Sequence, residues 1–111
     1  MDVSLAGVTV DCSDAARIAG FWAAVFGVSV EPEASAGFAA VRTPSVTLNF
    51  AAVPEPKVAK NRLHLDVSVP DLEAAVERLT GLGATVSSRV DEGGSRWVVL
   101  CDPEGNELCL V

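Results

Sequence analysis

His64 is the only histidine in the chain, and Asp66 follows two residues later. In an extended segment this spacing puts both side chains on one face, about 7 Å apart. A carboxylate there can raise the imidazole's pKa or fix its tautomer through a water, as a general base requires. The same pair also serves as polar lining in a binding pocket. Cys109 adds a thiol, and a zinc site built from His64, Cys109 and either Asp66 or Glu107 is chemically permissible, because zinc accepts imidazole, thiolate and carboxylate. No close ligand pair of the C-x-x-C kind points to such a site, and a cysteine in an apolar run also reads as a small hydrophobe. The expectation is no metal and no cofactor. Asp102, Glu104 and Asn106 alternate acceptors but lack the twelve-residue loop and closing glutamate of a calcium site, so they read as turn chemistry. No nucleophile elbow, phosphate loop or dinucleotide fingerprint is present.

The elements that must position these groups follow from hydrophobic periodicity. Val8, Val10 and Cys12 alternate with Thr9 and Asp11, which predicts a strand over about residues 6–12. Ser13 or Asp14 then caps a helix whose Ile18, Phe21, Trp22, Val25 and Phe26 form an apolar stripe ending at Gly27. Phe21 and Trp22 read as core. Val28 to Glu31, Gly37 to Arg42 and Ser45 to Ala52 predict a three-stranded meander. The two prolines of Val53-Pro54-Glu55-Pro56-Lys57 rule out a central strand there and mark a connector.

From Arg62 the order restarts. A strand runs to Val69, and Pro70 and Asp71 open a helix with Leu72, Ala75, Val76, Leu79 and Leu82 on one face, closed by Gly83. Ala84 to Val90, Arg96 to Cys101 and Glu107 to Val111 supply three more strands. The halves align at an offset of 57, since 71 minus 14 is 57, and this shift matches His64 to Gly7. The reading is one α+β domain over residues 1–111 made of two βαβββ modules, 3–52 and 61–111, joined by a linker at 53–60 and paired around a cleft, because neither module buries its sheet alone.

Composition bounds the partners. Eight basic residues against fifteen acidic ones give a formal charge of -7, which excludes the cationic surface that nucleic acid needs. No apolar run approaches the roughly 18 residues of a membrane span, and no basic segment precedes an apolar one, so no membrane association and no processing are expected. Three cysteines in strand-like runs suit reduced thiols in the cytoplasm. Short apolar strands with exposed edges lead us to expect a homodimer.

Phe21-Trp22, the run Asn61-Arg62-Leu63-His64-Leu65-Asp66, Gly83-Ala84 and the turn Asp102-Pro103-Glu104-Gly105-Asn106 together resemble the vicinal oxygen chelate superfamily. More narrowly, the chain is similar to the glyoxalase-like domain of the glyoxalase, bleomycin-resistance and dioxygenase group. The resemblance implies eight strands in two curved modules enclosing a cleft. In metal-dependent members it implies a divalent ion held from four strands, at positions that align here with Gly7, Ala51, His64 and Cys109. Of these only His64 is a usual ligand. The leading expectation is a metal-independent member that binds a small organic molecule through His64, Asp66, Thr9, Asn49, Trp97 and Glu107. The alternatives are a lyase, isomerase or dioxygenase using a rearranged metal or His64 as catalytic base, and a purely structural dimeric module.

Overall fold

Each helix starts at an aspartate that stops its first turn from fraying. Asp14 caps α1 (Ala15–Phe26) by accepting from the Arg17 backbone N–H at 3.3 Å. Asp71 does the same for α2 (Leu72–Gly81) through the Ala74 N–H at 3.1 Å. Such caps satisfy donors that helix geometry leaves orphaned, at about 1 kcal/mol each. Gly27 ends α1 in the left-handed conformation, φ 67°, where a side chain would be strained.

The computed structural model describes residues 1–111, and the chain divides into two units, Met1–Pro56 and Lys57–Val111. In the first, β1 (Val8–Cys12), β2 (Phe38–Arg42) and β3 (Thr47–Ala52) form a sheet of order β1-β3-β2, with β1 parallel and β2 antiparallel to β3. In the second, β4 (Leu65–Val67), β5 (Thr85–Glu92), β6 (Ser95–Cys101) and β7 (Glu107–Leu110) are ordered β4-β7-β6-β5, with β4 parallel to β7. Two helices and seven strands in two sheets make an α+β fold. No helix is long and apolar enough to cross a membrane.

Alternation along the strands decides what is buried. Ile18, Phe21 and Trp22 of α1 are buried, as are Val41, Leu48 and Phe50 of the sheet. Phe21 and Trp22 meet edge to face at 5.5 Å. The second unit buries Val76 and Leu79 of α2 with Val98, Leu100, Leu108 and Leu110. Each such side chain contributes roughly 1.5–3 kcal/mol by leaving water.

Three details depart from the sequence reading. Val28 to Glu31 forms no strand, only an isolated bridge between Val30 and Val41, because Pro32 lacks a donor and Glu33 turns the chain at φ 70°. The strand expected over 62–69 is regular only over Leu65–Val67, with a further backbone bond from the Val69 N–H to the Val111 carbonyl at 3.0 Å. Conversely, β5 continues to Glu92 and returns at Ser95 through Gly93 (φ 56°) and Gly94 (φ 83°), a two-residue turn that needs positive φ at both positions.

Candidate functional site

The second unit brings three donor side chains together. His64 directly precedes β4, Asp66 lies within it, and the parallel register puts Cys109 of β7 opposite Asp66. Because side chains alternate along a strand, Asp66 and Cys109 share one face while Leu65, Leu108 and Leu110 take the other. His64 Nδ1 lies 3.2 Å from Asp66 Oδ1, closer than the strand spacing predicts, because His64 stands outside the ladder. One ligand atom from each of His64, Asp66 and Cys109 falls within 4.8 Å of the other two. The His64 and Asp66 side chains are 41% and 60% exposed, while Cys109 is only 6% exposed.

Burial pushes the Cys109 thiol above its ordinary pKa, the negative charge of Asp66 adds to the effect, and Lys60 opposes it. The sulfur is therefore a poor nucleophile at neutral pH.

Glu107 occupies the same face of β7 two residues before Cys109, but its oxygens are already engaged. The Asn61 N–H donates to Oε2 at 3.0 Å, and Lys57 Nζ lies 3.4 Å from Oε1. Burial alone would raise its pKa, but these bonds and the lysine's charge outweigh it and hold the carboxyl below the usual range. Lys57 Nζ also donates to the Ala59 carbonyl. Glu107 thus ties the start of the second unit to β7.

Trp97 pairs with Val90, and the β6–β7 register puts Trp97 and Val99 on the face that carries Cys109. It lines a cavity of about 220 Å³ with Leu72, Val90 and Val98 and the charged Arg89, Asp91 and Arg96. His64 does not line this cavity. Asp102, 3% exposed, accepts from the Glu104 and Asn106 N–H groups at 2.9 and 3.0 Å and so sets the turn that delivers β7.

Thr9 and Asn49 belong to the first unit, where they face each other across β1 and β3. An ideal Cβ on Gly7 would sit 2.9 Å from the Thr47 carbonyl oxygen and 3.2 Å from Asn49 Nδ2, so position 7 has no room for a ligand side chain. The register also corrects the correspondence for the fourth strand. Matching Gly7 to His64 makes Thr9 the counterpart of Asp66, and the residue opposite Thr9 is Asn49, not Ala51. A hard divalent ion held from all four positions does not fit, because Gly7 is sterically closed and carries no donor, and Asn49 offers only a neutral amide where a charged ligand is wanted. The sequence allowed Cys109, His64 and Asp66 as one donor set, and the structure adds their approach to within 4.8 Å. The signal for it was present in the shared face, but the pairing of β4 with β7 was needed to close the distance.

The family described as a glyoxalase-like domain matches residues 7–111. No curated protein sequence matches the chain. Among solved structures, a glyoxalase/bleomycin resistance protein/dioxygenase family enzyme from Burkholderia phytofirmans is similar at TM-score 0.82 and 20% identity, covering 97% of each chain. A mutant of the genomically encoded fosfomycin resistance protein of Listeria monocytogenes, complexed with Mn(II) and 1S,2S-dihydroxypropylphosphonic acid, gives 0.77 at 12% identity, covering 99% of this chain and 90% of that one. The bleomycin-binding protein of Streptomyces verticillus, complexed with copper(II)-bleomycin, gives 0.69 at 20% identity, covering 100% and 98%. At these identities the likeness establishes a shared fold.

Proposed function

The chain belongs to the glyoxalase-like domain family, and from that premise we propose that it binds a small organic molecule without the four-donor metal site expected of metal-dependent members. The observation that carries this reading is Gly7, where the Thr47 carbonyl stands 2.9 Å from the place a Cβ would occupy. A backbone approach that close removes one corner of the coordination sphere, while the His64–Asp66 pair keeps exposed polar groups on the surface of the second unit. Similar folds that hold copper(II)-bleomycin, or Mn(II) with a dihydroxypropylphosphonic acid, support a role in small-molecule binding. His64 and Asp66 head the contacts, with Thr9, Asn49, Trp97 and Glu107 completing the proposed set.

The 3.2 Å His64–Asp66 contact favours a second reading, in which His64 is the catalytic base of a lyase, isomerase or dioxygenase and Asp66 fixes its tautomer. Under either reading the partner is a second copy of the chain, since both sheets end in unpaired edge strands. Three free cysteines suit a reducing cytoplasm.

Thermal denaturation against a panel of metabolites and antibiotics, run with excess chelator, tests the reading. A ligand at a hundred times its Kd adds about 2.7 kcal/mol of stability. The expected outcome is a shift with one chemical class that the His64→Ala variant loses. A flat response across the panel refutes small-molecule binding.

A further inference from the structure

The donors that remain do not form a weaker copy of a hard-ion site; they differ from it in kind. We propose that His64, Asp66 and Cys109 form a three-donor site for Zn2+ contained within the second unit. The three ligand atoms lie within 4.8 Å of one another. Zinc bonds of about 2.0–2.3 Å at tetrahedral angles place neighbouring donors about 3.5 Å apart. His64 and Asp66 already stand at 3.2 Å, so the set has only about an ångström to close. The two exposed side chains, His64 and Asp66, can make that adjustment by changing rotamer, and the buried Cys109 serves as the fixed point.

The donor types decide the ion. A thiolate beside an imidazole and one carboxylate selects zinc or its soft analogues over magnesium and manganese, which prefer oxygen ligands. On binding, the Cys109 S–H releases its proton to solvent as the metal–sulfur bond forms. The imidazole and carboxylate give lone pairs, and no oxidation state changes. Three protein ligands leave a fourth position for water or for a donor atom of a bound molecule.

The test uses the full chain stripped of metal and titrated with Co2+, whose bonds to thiolate show as charge-transfer absorption in the near ultraviolet. The expected result is one Co2+ per chain with that band, displaced by Zn2+ and unaffected by equal Mg2+ or Mn2+. Cys109→Ser should abolish the band, and Cys101→Ser should leave it intact. His64→Ala, a change at an exposed position, should weaken binding at least tenfold with the fold retained. Failure of Co2+ to bind, binding without the band, loss of the band in Cys101→Ser, or unchanged affinity in His64→Ala would each overturn the site. Because the small-molecule panel is run in chelator, the two proposals stand or fall separately.

Discussion

At equivalent register positions the first unit carries Gly7, Thr9 and Asn49, and the second carries His64, Asp66 and Cys109. Both trios flank a parallel strand pair, and both units begin their helix on an aspartate cap. The ladders need only backbone groups from these positions, so the side chains are free to diverge. In one unit they have shrunk until backbone packs against backbone at Gly7. In the other they have gathered an imidazole, a carboxylate and a thiol. The plan is repeated, but the capacity for chemistry is concentrated in one copy.

The scaffolds differ in the same sense. The first unit rests on large apolar side chains, Phe50, Trp22 and Ile18, whereas the second holds its donors in place through polar clamps at Asp102 and Glu107. The strongest way to probe that contrast is Asp102→Ala, which leaves two backbone N–H groups short of their acceptor at about 1–3 kcal/mol each. We expect a lower urea midpoint together with faster reaction of Cys109 with a thiol reagent. Unchanged Cys109 reactivity would show that the turn does not position β7.

Next in size is Gly7→His, which attempts to make the first unit resemble the second. The clash with the Thr47 carbonyl should cost roughly 1–3 kcal/mol in chemical denaturation, with no gain in Co2+ stoichiometry. A stable variant that binds an additional ion would erase the distinction between the units.

The smallest effect belongs to Glu107→Gln, at about 1 kcal/mol near neutral pH. The folded-state pKa of Glu107 is lowered from 4.5, so its contribution is fully present above that value and is lost as the pH falls through the folded value. The stability gap between the parent protein and the variant should therefore be open at pH 7 and close in acid. A gap independent of pH would mean that the charge on Glu107 does not contribute.

Much of this was legible in the chain because it depends on local pattern. Asp14, Asp71 and the two helix stripes announce themselves within a few residues. The failures lie where a neighbour decides the outcome. Val28 to Glu31 has strand composition, but the chain is deflected at Pro32 and Glu33 before a ladder can form. Asp91 and Glu92 look like loop, yet β6 pairs with them and extends the hairpin to Gly93-Gly94. The site followed the same rule. The spacing of His64 and Asp66 indicated a shared face, whereas their direct contact and the approach of Cys109, more than forty residues away, depend on how β4 meets β7.

The connector is pinned at both ends: the Val53 N–H donates to the Cys12 carbonyl, and Lys57 and Asn61 hold Glu107. Only the stretch around Glu55 belongs to neither anchorage, and two prolines stiffen it. A protease nick or an inserted tag at that point would sever none of these bonds, which makes Glu55 the natural place to open the backbone between the two units.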